Sequence, residues 1–269
     1  MGHPEGMIAL LLLACSGDLP DAQEVTLDDG VYYALIPADW DGEAPLPASV
    51  HFHGAGGSAE QYYGNEDVVQ GFSDAGVLLL LPEGEGGFFD TSPEPGDRDD
   101  MAFVEAIWED AEARWPIDAA REYATGFSVG GSVVATLGCD YGERYAALAP
   151  MSGGFWFPAP DTCGGPAVPI SHTHGTADGT WPLEGRCFRE ADDGSCERGQ
   201  SPMDDNFAIW TELLQCGEAT ETSTDGPLTC ETWTDCANGE LRLCLHDEGH
   251  TRLDGWAARQ AGWLLSHAR

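Results

Sequence analysis

The sequence predicts an α/β fold, a mainly parallel twisted sheet with helices on both faces, and three observations point there. Short apolar runs alternate with helix-period segments along the chain, as parallel α/β sheets require. Residues 77–81 (VLLLL) are continuously apolar, the mark of a strand buried on both faces. Gly126-x-Ser128-x-Gly130 stands where a strand should turn into a helix, the sequence form of a nucleophile elbow.

Strands are expected at 31–36 (VYYALI), 48–52 (ASVHF), 77–81, 121–125 (REYAT), 146–151, 168–172, 229–233 and 241–245. Helices are expected near 67–73, 101–115, 132–139, 205–214 and 253–265. The segment before the elbow is the clearest: Val104, Ile107, Trp108, Ala111 and Trp115 recur at helical spacing, and Pro116 stops that helix. After the elbow, 131–139 (GSVVATLGC) is a small-residue apolar run that lets a helix pack tightly on a sheet. Residues 84–100 form the longest turn-rich insertion and are expected to rim the site as a loop.

A length of 269 residues with 42% hydrophobic content suits one domain with a sizeable core, placed at 24–269. The formal net charge is −36, and all eleven cations are arginine. Such a surface repels phosphate backbones, so no nucleic-acid partner is expected. Residues 1–23 are read as a secretory signal and short linker, because 7–14 (MIALLLLA) is too short to cross a bilayer. Leu12-Leu13-Ala14-Cys15 has the form of a lipobox, which makes Cys15 a candidate for lipidation and an outer-membrane anchor. The segment departs from the usual pattern in having no Lys or Arg among residues 1–6.

Of nine cysteines, removing Cys15 leaves eight, and an even number in an exported chain suggests disulfides. Eight cysteines allow 105 connectivities that sequence does not decide between, and the pairs expected are Cys139 with Cys163 and Cys236 with Cys244. No C-x-x-C pair occurs, so neither zinc nor any other cofactor is expected.

A serine nucleophile needs a base, a carboxylate to orient it and donors for an oxyanion. His250 lies between the last strand and the last helix, where a side chain can reach the sheet's C-terminal edge. Asp178 follows a strand and turn, and the order Ser128, Asp178, His250 is that of the motif. One oxyanion donor is expected on Val129 and the other in the loop His53-Gly54-Ala55-Gly56-Gly57, at Ala55 or Gly56. Trp181, three residues past Asp178, and Arg252, two past His250, are candidate substrate contacts, with core packing equally open for the tryptophan.

At HGAGGSAEQY, at the segment ending YATGFSVGG, at HGTADGTWPLEG and at the 247–250 turn, the chain resembles the polyhydroxybutyrate depolymerase-like esterases of the α/β-hydrolase superfamily. That group includes secreted feruloyl and acetylxylan esterases, and the likeness runs from about residue 48 to 262. The resemblance implies the α/β-hydrolase fold, a catalytic triad of Ser128, Asp178 and His250, and an ester substrate that is polymeric, polysaccharide-linked or small. The chain departs from the H-x-W-P-G pattern of many relatives, having Thr251, Arg252, Leu253 and Asp254 after His250. A peptidase of the same superfamily and a non-catalytic, disulfide-braced binding protein stay open beside the esterase.

Overall fold

A computed structural model describes residues 20–91 and 98–269, so Cys15 and most of the expected leader lie outside the described residues. Thirteen strands and six α-helices alternate among the described residues. In chain order they are β1 (Gln23–Leu27), β2 (Gly30–Leu35), β3 (Leu46–Phe52), α1 (Glu60–Tyr63), α2 (Glu66–Asp74), β4 (Leu78–Pro82), α3 (Asp100–Arg114), β5 (Ile117–Phe127) and α4 (Val129–Asp140). There follow β6 (Ala147–Met151), β7 (Trp156–Phe157), β8 (Ile170–Gly175), β9 (Arg186–Glu190), β10 (Cys196–Gln200) and α5 (Met203–Leu214). The chain ends with β11 (Thr220–Asp225), β12 (Leu228–Trp233), β13 (Leu241–His246) and α6 (Trp256–Leu264).

Ten strands form one sheet in the order β1-β2-β4-β3-β5-β6-β8-β13-β12-β11. The middle six, from β4 to β13, are parallel to one another, and antiparallel pairs close both edges. The expected mainly parallel α/β sheet is therefore what forms. Its interior is divided by the two-residue side-chain period of a strand. In β4, Leu78 and Leu80 join one apolar cluster while Leu79 and Leu81 join the other. Ile107 and Trp108 of α3, Val133 and Val134 of α4 and Trp210 of α5 complete the first cluster. Val68 and Phe72 of α2 and Trp256 and Ala261 of α6 complete the second, so helices cover both faces.

The cysteines form four bridges: Cys139–Cys163, Cys187–Cys196, Cys216–Cys236 and Cys230–Cys244. The first was expected. The expected Cys236–Cys244 pair is corrected, because register places Cys230 directly opposite Cys244 across β12 and β13. Cys236 instead follows β12 back to the end of α5, where Ala237 N–H donates to Gln215 and Asn238 N–H to Leu214.

Candidate active site

The parallel strands deliver their following loops to one edge of the sheet, the usual place for a site in open α/β folds. Ser128 follows β5, Asp178 follows β8, His250 follows β13 and the glycine loop follows β3. Ser128 is the N-cap of α4 and adopts φ 58°, ψ −120°, a region that non-glycine residues rarely occupy. Close packing of the backbone imposes that turn: a Cβ on Gly130 would collide with the Phe52 carbonyl, and one on Gly126 with the Gly130 carbonyl. The turn is pinned by the Ser128 N–H donating to the Met151 carbonyl at 2.9 Å.

Asp178 and His250 meet although 72 residues separate them. The Asp178 side chain is fully buried, its Oδ1 accepting from the Thr180 and Trp181 amides at 2.8 Å each. Its Oδ2 lies 2.7 Å from His250 Nδ1. An imidazole held this way donates Nδ1–H to the carboxylate and presents Nε2 as the free lone pair. The ring rests against Phe127, the residue before Ser128, with centroids 4.7 Å apart. Ser128, Asp178 and His250 are thus brought to one edge of the sheet.

The glycine loop stands over Ser128, since a Cβ on Gly54 would lie 3.2 Å from the serine Cβ. Among its amides, Gly57 N–H donates to the Gly54 carbonyl at 3.0 Å. Gly56 N–H donates to the Gly87 carbonyl at 2.8 Å, which removes Gly56 from the expected donors. Ala55 is left with no backbone acceptor among the described residues. Val129 opens α4, and the first amides of a helix have no acceptor within it. The loop after β4 does border the site: Gly84 N–H donates to His53 Nε2 at 3.0 Å, and Phe88 beside Gly87 is 55% exposed.

Two expected substrate contacts are placed differently. Trp181 is only 1% exposed, because it lies beneath Trp156 with ring centroids 4.8 Å apart. Arg252 is drawn inward, its guanidinium 4.2 Å from the Tyr62 ring, with Nη1 buried and without a hydrogen-bond partner among the described residues. What the sequence reading missed is the small sheet β7-β10-β9, which carries half-buried Trp156 and 55% exposed Phe188 with centroids 6.4 Å apart. Arg186 of this sheet donates to the Gly179 carbonyl, tying it to the Asp178 turn. The adjacent aromatics Trp156 and Phe157 and the Cys187–Cys196 spacing were the signals of it.

Histidines crowd this edge. His51 Nδ1 lies 2.7 Å from Thr125 Oγ1, and burial holds its pKa well below the ordinary value. His53 is also lowered by burial, against the pull of the Gly54 carbonyl. Among the described residues no three His, Cys, Asp or Glu side chains are grouped so as to hold a metal ion.

No protein-family model matches the chain. It is 31% identical over 179 residues to a probable feruloyl esterase C of Aspergillus niger, covering 60% of this chain and 62% of that protein. It is likewise 31% identical over 182 residues to feruloyl esterase C of Emericella nidulans, covering 61% and 63%. The chain therefore spans less than two thirds of the length of these relatives. The acetyl xylan esterase of Aspergillus awamori superposes over 91% of this chain and 98% of its own, with a TM-score of 0.63 at 16% identity, a likeness of fold. The chain thus shares its fold with an esterase of known structure and is similar in sequence, over part of its length, to feruloyl esterases.

Proposed function

We propose that the chain is a serine esterase that hydrolyses carboxylic esters through Ser128, His250 and Asp178. The carrying observation is the 2.7 Å contact between Asp178 and His250 at the sheet edge where Ser128 sits on a strained strand-to-helix turn. His250 Nε2 takes the hydroxyl proton as Ser128 Oγ attacks the ester carbonyl. Asp178 keeps the imidazole in the required tautomer and stabilises its charged form. The amides of Val129 and Ala55 bind the oxyanion, and each such donor contributes roughly 3 kcal/mol to lowering the barrier. The alcohol leaves with the proton from His250, and a water activated by the same ring then releases the acid.

The substrate class we infer is an acyl group linked to a polysaccharide, feruloyl or acetyl, or a polyester of similar acids. The relatives named feruloyl esterase and the neighbour named acetyl xylan esterase support this. Trp156, Phe188 and Phe88 supply exposed or half-exposed aromatic surface beside the site, the role first expected of Trp181. We also infer export, with 1–23 as a signal segment, 24–269 as one catalytic domain and Cys15 as a lipid anchor. Four disulfides support export, since such bridges persist in oxidising compartments.

The test is turnover of p-nitrophenyl acetate and butyrate, then of methyl ferulate, acetylated xylan and short-chain polyhydroxyalkanoate. Wild type should hydrolyse the first pair and at least one of the others, and Ser128→Ala should lose about 10³-fold or more. Undiminished hydrolysis by Ser128→Ala sinks the assignment.

A further inference from the structure

Two histidines at the end of β8 have no part in the steps above. His172 and His174 lie on one face of the strand, two residues apart, and both are fully buried. His174 Nε2 is 2.7 Å from the Trp181 carbonyl and 3.5 Å from Asp178 Oδ2. Its Nδ1 is 3.0 Å from His172 Nε2. His172 Nδ1 is buried and has no hydrogen-bond partner among the described residues.

These contacts allow one arrangement of protons. A carbonyl oxygen only accepts, so His174 Nε2 must carry a hydrogen. Burial disfavours a second proton on either ring, which leaves His174 Nδ1 as a lone pair. His172 Nε2–H then donates to it, and His172 Nδ1 is left as a bare acceptor. Reversing the chain would set a lone pair against the Trp181 oxygen at 2.7 Å and strand a buried N–H at His172.

The chain ends on the turn that grips Asp178. The Trp181 amide is one of the two that hold Asp178 Oδ1, and the Trp181 carbonyl is what His174 secures. The same N–H faces Asp178 Oδ2, the oxygen bonded to His250. We infer that His174 is a positioning residue of the triad, acting through Asp178, with His172 setting its tautomer. This rests on the esterase reading of the same site. Around His174 stand His172 on its own strand, Asp178 in the following turn, His246 at the end of β13 and His250 beyond it. Phe207 and Trp210 of α5 close over His172. His174 is fully buried, so substrate contact is not its role.

Without this donor the Asp178 charge is less compensated and holds the His250 imidazolium more tightly. The base then stays protonated to higher pH. The experiment compares His174→Leu, His174→Asn and His174→Gln with wild type on p-nitrophenyl acetate, recording kcat, KM, the pH profile of kcat/KM and Tm. Gln can reach the Trp181 carbonyl with an amide N–H, whereas Asn is too short and Leu has no donor. Leu and Asn should lower kcat by about 30-fold, with KM within about twofold, since a small misplacement of a reacting group costs up to about 10²-fold. Their acid limb should move to higher pH, and Gln should restore both kcat and the limb. If Leu does not fold, Asn carries the test. Wild-type kcat and an unmoved limb in the Asn variant overturn the inference, as does a Gln variant no better than Asn at equal Tm. A wild type that turns over no ester and takes no fluorophosphonate label fails the esterase reading instead.

Discussion

Strand β5 joins two regions of opposite character. Midway along it, where β6 joins alongside, Glu122, 1% exposed, lies 3.2 Å from Arg144 Nη1 and 3.5 Å from Arg269 Nη2. Arg144 also pairs with Glu105 and Glu112, and these residues line a cavity of about 640 Å³. At its finish stands Ser128 with a positive φ, and Ser152 beside it at φ 48°. Around that end the His172 Nδ1, both His246 ring nitrogens and the Ser152 Oγ are buried without partners among the described residues. One region satisfies its buried charges and serves the fold. The other keeps strain and unpaired polar atoms, which structures tolerate where they serve function. That cavity and the Ser128 turn therefore sit at different places along one strand.

The comparison breaks most sharply if the two regions can be exchanged in their effects. His250→Asn and Asp178→Asn should each lower kcat on p-nitrophenyl acetate by about 10⁴-fold. Thermal unfolding followed by circular dichroism should shift by only a few degrees. Arg144→Met should do the reverse: urea unfolding should show a loss of about 3 kcal/mol, because a buried carboxylate loses the nearer of its two partners, while kcat at 25 °C holds. A drop in kcat with unchanged stability would contradict that division. Gly54→Ala probes the catalytic end more gently, since its Cβ would lie 3.2 Å from the Ser128 Cβ. About a tenfold fall in kcat is expected, read by steady-state kinetics, from displacement of the reacting serine.

A separate effect concerns pH at the structural region. Burial lifts the Glu122 carboxyl from 4.5 to about 7, against the opposing pull of Arg144 and Arg269. A raised folded value means that the folded state binds the proton more tightly than the unfolded chain. That contribution is complete below about 4.5 and is lost as pH rises through about 7. Wild type should therefore gain stability relative to Glu122→Gln as pH falls from 8 to 5. A difference that is flat over this range would show that Glu122 does not titrate there.

The central strands were legible because burial on both faces demands unbroken apolar runs, as VLLLL of β4 shows. The elbow was legible because close backbone approach at Gly126 and Gly130 admits only glycine. Edge strands were not: β11 (TETSTD) faces solvent with no apolar residue, and β1 (QEVTL) offers only Val25 and Leu27. The same holds for the exposed β9, paired to β10 and stapled by Cys187–Cys196. The last helix was expected from 253 but begins at Trp256, since Gly255 adopts φ 69° before it. In the site, the Ser128, Asp178 and His250 order could be read, yet the burial of Trp181 could not. It depends on Trp156, 25 residues away in the chain, whose position is set by pairing between β7 and β10. Gly56 failed for a similar reason, its amide being taken by the Gly87 carbonyl from another loop.

The central claim is that Ser128 is a nucleophile activated by His250. The most direct measurement is labelling of the folded protein with a fluorophosphonate, followed by mass spectrometry of the peptide that contains YATGFSVGG. The account predicts one label, on Ser128, lost in Ser128→Ala and slowed by orders of magnitude in His250→Asn. A label on another serine, or none on folded protein, would contradict it.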